Sequence, residues 1–310
     1  MSFNEELKSA MARQVPEEMT ECTAALYAMV FSSFSLSIRG FGQFGLKFES
    51  TQSVSATYAF RLIKTVFGCS PELVKIRQKD NFGEKNRYIL SIDDSAQTME
   101  MLHTFNMLDS EGTYVSSGID RSLMTSPDDT REFLKAMVIA CGYIYEPSKS
   151  FRLEFRFSNS ANAASFMEML ESTLGINAHL WEARRSATVY IKRLDDIVSY
   201  LAACGAGKFA LDLQDVSVLK EIREGAQRAA NCDIANTNKM MEASRIQIAA
   251  IDAITNAGRL AHLSEPLLMA ARLRSDNPEA TLSELSKIAG ISRSTLDKRL
   301  RKIIKIAEDL

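Results

Sequence analysis

Apolar residues along this chain recur with two alternating rhythms, one of period near 3.6 and one of period two, which separate helices from half-buried strands. A helix is expected over residues 18–31, where apolar or small side chains crowd nearly every face. Strands follow at SLSIRG and residues 45–48, then a helix at 53–67, strands at 73–77 and 87–92, and a helix at 95–106. After a break at Ser126–Asp129 the order returns. A helix covers 131–140, strands 142–145 and 152–158, a helix 161–174, strands 179–184 and 188–192, and a helix 194–204. Ahead of all these, Ser2 with Glu5 spells a capping box that opens a first helix.

The strands alternate cleanly. In RLEFRFS, Leu153, Phe155 and Phe157 face one way, and Arg152, Glu154 and Arg156 the other. That pattern predicts one-sided antiparallel sheets with helices on the buried face, hence an α+β fold built from a duplicated α-β-β-α-β-β-α unit. The second copy of the unit matches the first in element order more than in identity. From Leu211 the pattern turns helical, with longer helices at 216–230 and 236–257 and a stop at Gly258 and Pro266. The expected division is 1–125 for the first repeat, 126–210 for the second, 211–262 for a helical linker, and 263–310 for an all-α terminal domain.

Composition adds little until charge is read locally. The 310 residues are 46% hydrophobic and 25% charged, and no apolar run reaches the roughly 20 residues that cross a bilayer. MSFNEELKSAMAR has no basic head followed by an apolar stretch, so no secretory signal is expected. Cys22, Cys69, Cys141, Cys204 and Cys232 are scattered without a CxxC pair, which speaks for a reducing cytoplasm and against a disulfide framework or zinc site. The net charge is −2, yet Thr281–Lys305 holds seven basic residues against two acidic ones. An acidic body is repelled by DNA, so any DNA binding must be focused on that basic segment.

The segment has an internal grammar. In TLSELSKIAGISRSTLDKRL, Thr281 and Glu284 form a capping box, and Leu282, Leu285, Ile288 and Ala289 make one apolar face of a short helix. Ser286 is small where two helices cross, Gly290 supplies a tight turn and Ile291 plugs the core. Ser292 then caps a helix whose apolar face is Leu296, Leu300, Ile303 and Ala307. Ser264 caps a preceding helix with Pro266 in its first turn. This spacing is that of a helix-turn-helix, whose second helix enters the major groove. Arg293, Ser294 and Asp297 are positioned for base edges, Arg for guanine and Asp for cytosine. Ser292, Thr295, Lys298, Arg299, Arg301 and Lys302 are positioned for phosphates, which fix register without reading sequence. A helical hairpin used for dimerisation is the competing reading.

Three stretches give the chain a family resemblance over nearly its whole length: MSF at the start, QRAANCDIANTNK from Gln227 to Lys239, and SRSTLDKRLRKIIKIAEDL at the end. The chain resembles the WhiA family of bacterial sporulation and cell-division regulators. The resemblance implies two degenerate repeats of the LAGLIDADG homing-endonuclease fold joined to a C-terminal helix-turn-helix. In that nuclease fold each signature helix ends in an acid that helps bind a catalytic divalent metal. The matching segments here are LYAMVFSSF, from Leu26, and LKAMVIACG, from Leu134, so Ser33 and Cys141 stand in the acids' places and Phe31 and Ile139 in the preceding ones. None supplies the carboxylate oxygen that Mg²⁺ needs, so no metal, no cofactor and no nuclease activity are expected.

Other constellations are plain. His103, His179 and His262 lack ligand spacing, Gly40-Phe41-Gly42 reads as a strand turn, and Gly205-Ala206-Gly207-Lys208 lacks the full P-loop. Trp181 reads as core. Within Gln227–Lys239, Arg228, Asn231, Asn236, Asn238 and Lys239 mark either a capped helix junction or a surface touching DNA backbone. The leading expectation is a sequence-specific regulator of double-stranded DNA, cytoplasmic and nucleoid-associated, with RNA polymerase or a sigma factor as a candidate partner. No membrane and no small-molecule ligand are indicated. The alternatives are a nucleoid-associated architectural protein, an active endonuclease, and a ligand sensor, for which the sequence offers no recognisable pocket.

Overall fold

The structure, a computed structural model, describes residues 2–38, 43–80, 83–108 and 118–310. It divides into two compact units, Met1–Lys220 and Glu221–Leu310. The expected turn at Gly40-Phe41-Gly42 lies outside the described residues.

The first unit opens with α1 (Phe3–Met11), started by the Ser2–Glu5 capping box. Then come α2 (Met19–Ser33), β1 (Phe34–Ile38), β2 (Phe44–Ser50), α3 (Ser53–Phe67), β3 (Glu72–Asp80), β4 (Gly83–Ile92) and α4 (Ser95–Thr104). The second half repeats the order: α5 (Pro127–Cys141), β5 (Gly142–Ile144), β6 (Leu153–Phe157), α6 (Ser160–Leu174), β7 (His179–Ala183), β8 (Ser186–Ile191) and α7 (Leu194–Ala203). The two sheets have the same antiparallel order, β1-β2-β4-β3 and β5-β6-β8-β7. The duplication read from periodicity is therefore a duplication of topology.

The inward residues are those the alternation marks. Leu153, Phe155 and Phe157 of β6 are buried, as are Ala187, Val189 and Ile191 of β8. Among the described residues, α2 and α5 pack on each other more extensively than any other pair of elements. Both helices are rich in buried small side chains, Ala24, Ala25, Ala28 and Ala136, which let backbones approach closely, and the Tyr27 and Phe133 rings meet between them with centroids 5.8 Å apart. Where α5 passes into β5 the chain folds back on itself. A Cβ at Gly142 would lie 2.7 Å from Val138 Cα and 2.8 Å from its carbonyl oxygen, so only glycine fits there.

Trp181 departs from expectation, being 58% exposed. It pairs with Thr188 on edge strand β7, and the alternation turns Leu180, not Trp181, toward the core. Residues 216–230 and 236–257 also depart: they are one unbroken helix, α8 (Gly207–Asn256), and the boundary between the units falls inside it. No proline interrupts this run and its single interior glycine, Gly225, is tolerated, so polar residues alone do not end the helix.

The second unit adds α9 (Glu265–Asp276), α10 (Leu282–Ala289) and α11 (Arg293–Glu308) to the C-terminal part of α8. Their core is Ile251, Ile254, Leu267, Ala270, Ala271, Leu285, Leu296, Leu300 and Ile303. Ser264 holds the N-cap position of α9 but its hydroxyl makes no cap bond. Among the described residues, no helix is long and apolar enough to cross a membrane.

Candidate nucleic-acid interface

Helix α10 begins at Thr281, whose hydroxyl accepts from Glu284 N–H at 3.1 Å while Glu284 Oε2 accepts from Thr281 N–H at 2.7 Å. It ends at Gly290, whose φ of 64° is left-handed, with Ile291 N–H donating back to the Ser286 carbonyl at 3.1 Å. That closing pattern satisfies the last carbonyls of α10 and aims the chain into α11. Ser292 caps α11, its hydroxyl accepting from Thr295 N–H at 3.1 Å and lying 3.0 Å from Ser294 Oγ and 2.8 Å from Thr295 Oγ1.

Leu296, Leu300 and Ile303 are buried, so the opposite face of α11 is turned out by helical geometry. Ser292, Arg293, Ser294, Lys298, Arg301 and Lys302 are exposed, and Thr295, Asp297 and Arg299 are half-buried at the borders. Asp297 is already engaged: its carboxylate accepts from Arg301 Nε at 2.9 Å, one turn along. In α10, Leu285 is the buried residue, and Ile288 lies 62% exposed instead of joining the apolar face. An eight-residue helix crossing two neighbours covers little of its circumference, and Ile288 falls outside the contact.

The long helix contributes unevenly. Residues 231–239 are wholly exposed within continuous α8, so this stretch is not a capped junction. Asn236 and Lys239 line a groove of about 540 Å³ together with Thr237, Met240, Thr281 and Ser283, and Arg293 of α11 lies in the same groove. Arg228, Asn231 and Asn238 do not line it. Arg228 pairs with Glu224 at 3.6 Å, and Asn231 accepts from Gln227 at 2.9 Å. Sequence spacing alone could not bring Asn236 to Arg293, because they lie on different helices.

Sequence reading also missed Arg274, the largest of the fully buried side chains among the described residues. It anchors the segment between α9 and α10, with Nη1 donating to the carbonyls of Asn277 at 3.2 Å and Ala280 at 2.8 Å.

Ser33 and Cys141 do come together, lining one cavity at the ends of α2 and α5. Burial pushes the Cys141 thiol up to about 12, against hydrogen bonds from Ser32 and the nearby Lys8 ammonium that favour its ionisation. Lys8 is buried and donates to the Ile139 carbonyl at 3.2 Å. A hydroxyl, a protonated thiol and an ammonium do not fit a divalent metal, which needs anionic oxygen donors and is repelled by a fixed cation; Glu49 and Glu154, which line the same cavity, are already paired with Lys47, Arg87 and Arg152.

The WhiA LAGLIDADG-like domain model matches residues 130–223, and the WhiA C-terminal HTH domain model matches residues 226–307. The chain belongs to the WhiA family. It is similar to the "Probable cell division protein WhiA" of Desulfitobacterium hafniense, at 31% identity covering 100% of this chain and 96% of that one. It is 29% identical to the protein of the same description from Clostridium acetobutylicum, covering 100% of this chain and 98% of the relative. A crystal structure of full-length DUF199/WhiA from Thermatoga maritima shares the fold, with a TM-score of 0.56, 20% identity, and coverage of 100% and 99%. Family membership thus agrees with the two degenerate LAGLIDADG-like repeats and terminal helix-turn-helix that the residues suggested.

Proposed function

We propose that this protein is a sequence-specific regulator that binds double-stranded DNA through α11, acts in bacterial cell division or sporulation, and does not cut DNA. The observation that carries this reading is the split surface of α11: a buried apolar stripe on one side and exposed Arg293, Ser294, Lys298, Arg301 and Lys302 on the other. Arg293, in the first turn, is placed to reach a guanine edge, and Lys298, Arg299, Arg301 and Lys302 to hold phosphates. Ser292, Ser294 and Thr295 offer hydroxyls at the same helix start. Asp297 acts through Arg301, which it orients, unless DNA binding frees its carboxylate for a cytosine. Asn236 and Lys239 extend the contact across the groove to flanking backbone, while Arg228, Asn231 and Asn238 lie outside that groove and contribute only through general charge and polarity. Promoter control implies RNA polymerase or a sigma factor as protein partner, and a place in the cytoplasm on the nucleoid.

The test is selection of a DNA site by the purified protein, followed by binding of variants at several salt concentrations. Arg293→Ala should cost about 1–3 kcal/mol and relax preference at one base position. Lys302→Ala should weaken all sequences alike and lower the salt slope by about 1. Lys239→Ala should behave as Lys302→Ala does. Parental binding by both α11 variants would show that the wrong surface has been assigned.

A further inference from the structure

The cavity at the ends of α2 and α5 has a volume of about 850 Å³, within the range of small-molecule sites and far larger than a single ion needs. It is lined by Lys8, Ser33 and Cys141, by Glu49 and Gln52 from the first repeat, and by Tyr143, Glu154 and Arg156 from the second, with Arg185 at the β7–β8 turn. All of it lies within the first unit.

Its charges are not balanced. Glu49 is held by Lys47 at 2.7 Å and by Arg87, and Glu154 is held by Arg152, so both carboxylates are neutralised from outside the cavity. Arg156 and Arg185 are exposed and make no ion pair among the described residues. Lys8 is only 7% exposed, and among the described residues its one hydrogen bond goes to Ile139, although an ammonium has three donors. Three cations therefore face one polar space without acidic partners of their own. Gln52, which also lines the cavity, has a buried side-chain oxygen with no hydrogen-bond partner among the described residues. Tyr143, half exposed on the wall and 5.1 Å from Tyr145, gives a planar base an aromatic surface.

We propose that this cavity binds a free nucleoside monophosphate, the phosphoryl group on Lys8, Arg156 and Arg185 and the base along Tyr143. The site lies in the first unit, and the helix-turn-helix in the second. An oxyanion suits it because charge-assisted bonds from ammonium and guanidinium groups are strongest to phosphate, and because a metal or a second cation would meet Lys8.

Isothermal titration of the full-length protein tests this with the four common ribonucleoside 5′-monophosphates, adenosine and inorganic phosphate as separate probes. At least one monophosphate should bind below about 1 mM, with adenosine and phosphate each at least about tenfold weaker. Arg156→Ala with Arg185→Ala, both exposed and safe for folding, should weaken that binding by about tenfold or more. Lys8→Met should abolish it, and if that variant fails to fold the arginine pair still decides. Failure of every monophosphate to bind overturns the proposal, as does parental affinity in the double variant. If the double variant instead loses DNA affinity while no monophosphate binds, the cations belong to a DNA backbone contact and the nucleotide site is refuted. The α11 residues are untouched in these variants, so the helix-turn-helix reading stands or falls apart from this one.

Discussion

The guanidinium of Arg274 donates through Nη1 to the carbonyl oxygen of Ala280 at 2.8 Å, with the arginine only 2% exposed. One cation thereby organises the turn that delivers Thr281 to the start of α10. Burial lowers its pKa from the ordinary value, but an arginine stays charged at any working pH. Arg274→Leu keeps the apolar stem and strands the carbonyls of Asn277 and Ala280, at a cost of about 2–4 kcal/mol. The expected result is an early melting step assigned to Glu221–Leu310 and loss of DNA binding, read by calorimetry and gel shift. Unchanged melting would show that water replaces the guanidinium freely.

Gly290 holds φ at 64° with nothing within 4 Å of the place a Cβ would take, so backbone conformation and not crowding restricts this position. Gly290→Val should destabilise the helix-turn-helix by about 1–2 kcal/mol or more, because a β-branched residue is strained in the left-handed region. Gly290→Asn should be tolerated, since asparagine enters that region readily. NMR of both variants checks the contrast, and equal effects would mean that the turn is not the determinant.

Lys8 gives the first unit a pH signature. Burial brings its ammonium down to about 8 from 10.5, partly offset by the Cys141 thiol, so above pH 8 the unfolded chain holds a proton that the folded chain sheds, and stability rises with pH. Above pH 9 the sign reverses. Cys141 and Cys204, both pushed up to about 12 by burial, keep protons that the unfolded thiols release. Urea midpoints should therefore rise from pH 7 toward 9 and fall beyond it. Lys8→Met should lose the rise and keep the fall; a rise persisting in that variant would assign it to another group.

The cavity at Ser33 and Cys141 should not support phosphodiester cleavage. Metal-assisted cleavage needs carboxylates to hold the ions, and the helix ends offer a hydroxyl and a thiol beside an ammonium, while the cavity's carboxylates, Glu49 and Glu154, are held by Lys47, Arg87 and Arg152. Supercoiled plasmid should survive prolonged incubation with Mg²⁺ or Mn²⁺, and calorimetry should show no tight binding of either ion. Nicking that disappears in a Ser33→Ala, Cys141→Ala double variant would restore the enzyme reading.

Local chemistry was legible in the residues themselves. Period-two alternation marks β6 and β8 because a strand has only two faces, and the Thr281 and Ser292 caps are written in side chains three residues from their partners. The positive φ at Gly290 follows in the same way from the need to end one helix and start another. Tertiary structure decided the rest, because it depends on which faces meet. Trp181 and Ile288 look like core by type, yet β7 is an edge strand and α10 is too short to cover both flanks. Arg274 looks like surface until the carbonyls of Asn277 and Ala280 close around it. Asn236 and Arg293 share a groove, and Lys8 reaches Ile139 across 131 positions, only once separate helices have packed. Spacing along a chain encodes neighbours within a turn, whereas partners on different elements are fixed by packing, which no short motif records.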